Sequence, residues 1–356
     1  MLRHTTYAHL LGNDAPTFCF QAPSPHCALV PRELYSYVDI LACIGYLNEP
    51  VLLRYVTDWC DLLQHIRPDL VLADHAPTAL LAAKVLQLPT AALGTGFTSP
   101  PTLAVFPPFF PNRLPPDDTL SSQILAVTNR VLQQLQAATL DRLEDILTAT
   151  KLFLCTFSEL DHYGSRATAN YYGTLFSDNM GAVFEWPSLN EPRIFAYLTP
   201  KVSQLSKVLA DIAQLPGHKL LHLPGVNSEL LAGYRNRTDL TLAPAPLKLG
   251  PLLQTLDLVI GQGGLGLSSQ CVIRGVKQVL IPTQMEQRML TRQLVTQRLA
   301  YAIDPKRQEP PMAKVFAQAL TCTTLAQHCA ATRLKYADFS QEKQIEAIVQ
   351  AICIDA

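Results

Sequence analysis

The sequence predicts an α/β protein built on parallel sheets in two domains, and three observations carry that expectation. Short apolar runs alternate with longer segments of helical period, the pattern of repeated βαβ units. Apolar residues make up 48% of the chain and charged residues only 16%, as sheet covered on both faces requires. At 356 residues the chain also exceeds what one hydrophobic core usually organises.

The first clear unit is PDLVLADHAPTALLAAKVLQLPTAALGTGF: strand 70–73, a turn from Asp74 to Pro77, a helix to about Gln87, and strand 90–93. Residues 98–118, SPPTLAVFPPFFPNRLPPDD, are rich in Pro and aromatic residues, which predicts a long surface loop, either a rigid connector or a flap over an acceptor cleft. A helical stretch near 120–149 and a strand, KLFLCTF, follow. Pro187, Asn190 and Pro192 interrupt the pattern and place a linker at 186–192, between a domain of residues 1–185 and one of residues 193–337. The second domain should run strand 193–198, helix 201–214, strand 219–223, helix 227–234, strand 240–243, helix 248–256 and strand 257–260. After a glycine turn come a helix, strand 278–281 and a helix over 285–299. Within the final segment, 338–356, Ile345, Ile348, Val349 and Ile352 recur at helical spacing and predict an amphipathic helix over 340–353.

A net charge of −1 with scattered Lys and Arg leaves no electrostatic footprint for nucleic acid. The nine cysteines include no C-x-x-C, so they read as reduced thiols of a cytoplasmic protein rather than zinc ligands. The opening residues lack the uninterrupted apolar core of a signal peptide. The apolar tract at 70–94 carries Asp74, His75 and Lys84 and is no transmembrane segment.

The chemistry concentrates in LDLVIGQGGLGLSSQCVIRGVKQVLIPTQMEQ, residues 256–287. A strand stops at Gly261 and a helix begins around 265–268, so the glycines form a strand-to-helix turn whose unpaired N–H groups suit a phosphate. Glycine permits close backbone approach, and the helix dipole favours the negative charge.

These residues resemble the nucleotide-sugar-dependent glycosyltransferases of the GT-B fold, related to UDP-glucuronosyltransferases and bacterial natural-product glycosyltransferases. The family pattern is roughly H-G-G-x-G-x-x-x-E, then a Gly before a strand, a Pro ending that strand, and an acid-Gln pair. Here Gln262 stands at the His position, followed by Gly263, Gly264 and Gly266, with Gln270 at the Glu position; Gly275, Pro282 and the pair Glu286-Gln287 follow at the family's spacing. APLKLGPLLQTLDLVI, TFSELDHYG, YYGTLF and PDLVLADHAPTALLAAK extend the likeness over most of the chain.

The resemblance implies two Rossmann-like domains facing across a cleft, and the inverting, metal-independent transfer of a sugar from a nucleotide diphosphate, a UDP-sugar foremost, to a hydroxyl of a small-molecule or lipid acceptor. No cofactor is implied. Gln262 with Gly263, Gly264 and Gly266 would hold the diphosphate, Gln270 the ribose, and Glu286 with Gln287 the donor sugar. Gln262 and Gln270 keep hydrogen-bonding capacity but lack the charge of His and Glu, which implies weaker donor binding. Asp-x-Asp, the cation-holding motif of the other major transferase fold, does not occur.

Asp74 matches the carboxylate that orients the catalytic His in such enzymes, and as a residue before a helix it also reads as an N-cap. Family members open with a strand, a Gly-rich loop bearing that His, a helix and a second strand. This sequence opens on MLRHTTYAHLLGNDAPTFCFQAP, which looks like the stretch just after that unit, so the unit of ~30 or more residues and its base are expected to be absent. His75, His4, His9 and His26 are unanchored substitutes. The alternatives are a non-catalytic protein of the same fold that binds a nucleotide sugar or a partner, and a sugar-nucleotide epimerase.

Overall fold

The structure, a computed structural model, describes residues 20–23, 33–113, 116, 119–176, 181–187, 190–307 and 310–353. His4, His9 and His26 lie outside the described residues. The chain divides into two compact units: one comprises the residues up to Gly94, Thr98–Leu154 and the residues from Ile348 onward, and the other Thr95–Phe97 and Cys155–Ala347.

The first unit opens with helices α1 (Tyr37–Cys43) and α2 (Glu49–Ile66), neither anticipated from the sequence. The signals for α2 are local: the Asn48 side chain accepts from the Val51 N–H, Pro50 occupies the first turn, and Leu52, Val56, Trp59, Cys60 and Leu63 are buried along one stripe. Then come β1 (Val71–Asp74), α3 (Pro77–Val85), β2 (Thr90–Gly94), α4 (Leu120–Gln134) and β3 (Lys151–Leu154). The three strands form a parallel sheet in the order β1-β2-β3.

The helix expected over 120–149 ends early. Gln136 takes a left-handed φ of 56°, and the Asn129 side chain grips both backbone groups of Leu140, at 2.8 and 3.0 Å, folding the chain back along α4. Residues 98–113 hold no regular helix or strand. Buried Phe106 and Phe109 are nevertheless pinned through backbone N–H groups to Glu144 and to the Tyr35 carbonyl.

The second unit is a six-stranded parallel sheet, β4 (Arg193–Tyr197), β5 (His218–His222), β6 (Leu240–Ala243), β7 (Leu258–Gly261), β8 (Gln278–Leu280) and β9 (Ala300–Ala302), ordered β6-β5-β4-β7-β8-β9. Its helices are α5 (Leu205–Ala213), α6 (Ser228–Ala232), α7 (Leu249–Leu253), α8 (Leu265–Arg274), α9 (Met285–Thr296), α10 (Met312–Thr321) and α11 (Thr323–Lys335), with α12 (Gln341–Cys353) closing the chain. Both faces of the sheet are covered. Ile194, Ala196, Leu258 and Ile260 pack into one core with α5 and α10, and the alternate residues Phe195 and Val259 into another with α7 and Cys271. Strand β9 and helices α10 and α11 carried no expectation from the sequence.

Residues 155–185 pack with this second unit rather than the first. Phe157 and Leu160 enter its larger core, and the Ala182 N–H donates to the Pro246 carbonyl. The proline-rich stretch expected to link the domains lies on this unit too: Trp186 Nε1 donates to Thr255 Oγ1 at 2.9 Å, and its ring meets His218 edge-on. Of the apolar stripe on α12, Ile348 is buried while Ile345 and Val349 are exposed. Among the described residues no helix is long and apolar enough to cross a membrane.

A lysine in this unit is fully enclosed. Lys219 in β5 is 1% exposed, and its Nζ donates to the carbonyls of Leu215 and Gly217 and to Asp239 Oδ2 at 2.6 Å. Arg237 also grips Asp239, and these bonds, Arg237's first, hold its carboxyl well below the usual carboxylate range. Asp239→Asn should therefore cost about 1–3 kcal/mol, at the lower end because Asp239 is partly solvated and Lys219 keeps two carbonyls. A depressed folded pKa gives stability that is fully present above the unfolded carboxylate value of ~4 and is lost as pH falls through the folded value. Denaturant melts should show the gap between wild type and variant in full at neutral pH, narrowing in strong acid.

Candidate functional site

The sheet order reverses between β4 and β7. The chain winds outward from β4 through β5 and β6, then returns to build β7, β8 and β9 on the other side, so a crevice opens at the carboxyl ends of β4 and β7. That crevice is a cleft of about 540 Å³ whose lining includes Thr199 and Lys201 after β4, Gly263, Leu265 and Gly266 after β7, and Gln287 on α9.

Gly263 makes the turn possible. Its φ is 76°, and a Cβ there would stand 2.6 Å from Thr291 Oγ1 and 3.2 Å from the Gln287 carbonyl, so only glycine lets the turn nest against α9. Gly264 is the N-cap of α8, with extended backbone and no side chain to cap it. The first-turn N–H groups at Leu265, Gly266 and Leu267 have no carbonyl a turn earlier in the helix to donate to. A Cβ at Gly264 or Gly266 would meet nothing within 4 Å, so a ligand can approach this backbone closely. Exposed Lys201 supplies a cation on the same cleft.

Two glutamines tie the strand ends together. Gln262 Oε1 accepts from the Thr199 N–H and its Nε2 donates to Thr283 Oγ1, both at 3.0 Å. Gln287 Oε1 accepts from the Thr283 N–H at 2.8 Å and from its hydroxyl at 3.0 Å. Gln262 thus braces the crevice and has one Nε2 hydrogen uncommitted by these bonds.

Glu286 and Gln287 are consecutive on α9 and point in different directions. Gln287 lines the cleft. The Glu286 carboxylate is 34% exposed and lies 3.8 Å from Nε2 of His162. Burial raises the Glu286 pKa and, with a smaller contribution from Arg166, lowers that of His162 to about 3. Burial thus disfavours the charged form of both groups, and at neutral pH the imidazole is neutral, so the pair is not an ion pair. Gln270 is 3% exposed on α8, with Oε1 unpartnered among the described residues; the cleft lining does not include it.

Asp74 belongs to the other unit, exposed at the carboxyl end of β1. It does not cap α3: the N-cap is Ala76, with no side-chain bond, because Pro77 starts the helix two residues beyond the point at which an Asp cap would serve. His75 has φ 46° and sets its ring edge-on to Tyr37.

The sequence reading missed Thr199, Lys201, Thr283 and His162. YLTPK is a plain signal, a Thr-Pro-Lys closing a buried strand. Gln278, within the apolar run of β8, is 1% exposed with both amide atoms unpartnered among the described residues, and it lines the cleft floor.

A larger hollow of about 810 Å³ lies at the ends of β5 and β6. The stacked rings of Tyr197 and His222, 5.5 Å apart, stand between the two spaces. Among the described residues, the lining of the larger hollow includes no helix start comparable to that of α8 in the smaller cleft. Among the described residues no group of three His, Cys, Asp or Glu side chains is placed to hold a metal ion.

No family model and no curated protein matches the sequence. Solved structures do match the fold. The glycotransferase of kitacinnamycin superposes with a TM-score of 0.65 at 14% identity, over 93% of this chain and 86% of that one. Glycosyltransferase VinC, in complex with dTDP, gives 0.62 at 13% identity over 88% and 78%. Spinosyn rhamnosyltransferase SpnG, complexed with spinosyn aglycone, gives 0.62 at 16% identity over 85% and 80%. The chain has the GT-B fold, and its structural neighbours are natural-product glycosyltransferases of that fold.

The two kinds of glycine in the turn should separate cleanly. Gly263→Ala forces an L-residue into the left-handed region against α9 and should cost about 1–3 kcal/mol. Gly266→Ala, in an open first turn, should be neutral or stabilising by up to about 1 kcal/mol. Thermal melts of the ligand-free variants check this; equal losses would mean that the turn does not nest against Thr291.

Proposed function

We propose that the protein transfers a sugar from a nucleoside diphosphate donor to a hydroxyl group of a small-molecule or lipid acceptor, with inversion and without a metal. The observation that carries this reading is the open N-terminus of α8 at the strand-order reversal, beside Lys201 and Gln287. Backbone N–H groups fixed before the reaction begins would meet the negative charge that grows on the diphosphate as it leaves. The acceptor oxygen would attack the anomeric carbon from the opposite side, losing its proton to a base.

Gly263, Gly264 and Gly266 are assigned to the diphosphate, with Gln262 bracing them. Glu286 and Gln287 are assigned to donor-sugar hydroxyls, the glutamine through Nε2 because its Oε1 is committed to Thr283. Gln270 keeps its ribose assignment on the resemblance alone, and its burial argues for a contact made only after rearrangement. Asp74 keeps, on the resemblance alone, its assignment as the carboxylate that orients the base, and no base is assigned among the described residues. A UDP-sugar is the donor the resemblance favours; VinC was solved with dTDP, so both pyrimidine diphosphates belong in the test. Binding without transfer is the second reading, favoured by the commitment of the Gln262 amide to Thr199 and Thr283.

Glu286→Ala should weaken a nucleotide sugar tenfold to a hundredfold, the worth of a hydrogen bond to a charged group of ~1.5–3 kcal/mol, and leave the free nucleoside diphosphate nearly unchanged. Calorimetric titration with UDP, dTDP and their glucose conjugates reads both; equal losses would remove Glu286 from the sugar site. In a form of the protein that carries the base, Asp74→Asn should cut turnover with little change in donor affinity. An unchanged rate would take Asp74 out of the mechanism, and an absence of turnover in the wild type despite donor binding would favour the second reading.

A further inference from the structure

His162 plays no part in the assignments above, yet its ring and its backbone are both held by hydrogen bonds within the second unit. It is fully buried, and its Nδ1 accepts the Phe97 N–H at 3.1 Å. An imidazole that accepts at Nδ1 and is neutral carries its proton on Nε2. That Nε2 has no hydrogen-bond partner among the described residues, and the polar atom it approaches is Glu286 Oε1 at 3.8 Å.

The helix that carries Glu286 also fixes His162. From α9, Arg292 Nη2 and Gln293 Nε2 both donate to the His162 carbonyl, at 3.3 and 3.2 Å, and Gln297 Nε2 donates to the Glu159 carbonyl at 2.7 Å. On the other side, buried Asp161 holds the loop through Arg166 and the Tyr171 hydroxyl. Turning Nδ1 toward Glu286 would break the bond from the Phe97 N–H, and shifting the backbone that carries the ring would break the bonds from Arg292 and Gln293.

We propose that His162 is a positioning residue of the donor-sugar subsite, its Nε2–H orienting the Glu286 carboxylate so that the other oxygen accepts from hydroxyls of the sugar. This rests on the reading of Glu286 given above. The 3.8 Å separation lies beyond a hydrogen bond and would close by about 1 Å when the sugar draws the carboxylate inward. A neutral donor suits the task. It fixes one carboxylate oxygen without cancelling the negative charge that makes Glu286 a strong acceptor, as a buried Lys or Arg would. The charged groups around the ring are Arg166 and Asp161 on its own loop and Glu286 and Arg292 on α9.

The imidazole ¹⁵N spectrum of the wild type tests the premise without mutation. The Nε2–H tautomer should persist, uncharged, from neutral pH to below pH 5; a Nδ1–H tautomer, or protonation near pH 6.5, would overturn the proposal. The role is then read in protein saturated with UDP-glucose or dTDP-glucose from the ¹³C carboxyl titration of Glu286, which should move upward in His162→Phe and return toward wild type in His162→Gln, whose amide restores a donor. In binding, His162→Phe should weaken UDP-glucose or dTDP-glucose about threefold to tenfold while UDP and dTDP bind as before, again with rescue by His162→Gln. If Glu286→Ala discriminates sugar from diphosphate but neither His162 variant alters the Glu286 titration or that discrimination, the positioning role is overturned and the sugar-site reading stands. If Glu286→Ala itself fails to discriminate, both fall. Circular dichroism confirms folding, and should His162→Phe fail to fold, the wild-type tautomer and His162→Gln still decide.

Discussion

The backbone of Gly263 is the constraint on which the rest of the site depends. Because the residue takes a positive φ and has no side chain, the end of β7 passes directly beneath α9, against Thr291 and the Gln287 carbonyl. That approach puts the start of α8 next to the start of α9. One helix then presents unpaired N–H groups to the cleft and the other the Gln287 side chain. A methyl group at this one position would push the two helix starts apart.

Around that junction the strand ends are sewn together by side chains. Gln262 reaches sideways to Thr199 and Thr283, and Gln287 returns to the same Thr283, so the loops after β4, β7 and β8 share one hydrogen-bond chain. This explains how a Gln can occupy a position where the resembling family has a His. The amide both donates and accepts and so joins two loops. Rigidity is gained, and one side chain is largely withdrawn from the ligand.

The periodic part of this architecture was legible in the sequence. The strands 193–198, 219–223, 240–243, 257–260 and 278–281 were expected within one or two residues, because buried parallel strands are short apolar runs bounded by turn residues. The glycine turn and the start of α9 were placed for the same kind of reason. What escaped notice depends on tertiary partners. Nothing local shows that Gln262 spends its amide on Thr199, that Gln270 turns inward, or that α9 grips the loop at 159–162. The break after α4 comes from the Asn129–Leu140 bonds, and no propensity encodes a pair eleven residues apart. Helix α2 is different, since its Asn48 cap and its apolar stripe are both local signals. Asp74 shows the opposite failure, since a residue of good capping type sits where Pro77 starts the helix without it.

The central claim, that the turn at Gly263 is a diphosphate site with a sugar site beside it, is tested most directly by a crystal structure with a non-hydrolysable UDP-sugar or dTDP-sugar bound. The account predicts diphosphate oxygens within hydrogen-bond distance, ~2.7–3.2 Å, of the N–H groups at Gly264 to Gly266, and sugar hydroxyls on Gln287 and Glu286. A diphosphate seated instead in the hollow after β5 and β6, with the helix start of α8 left to solvent, would contradict it.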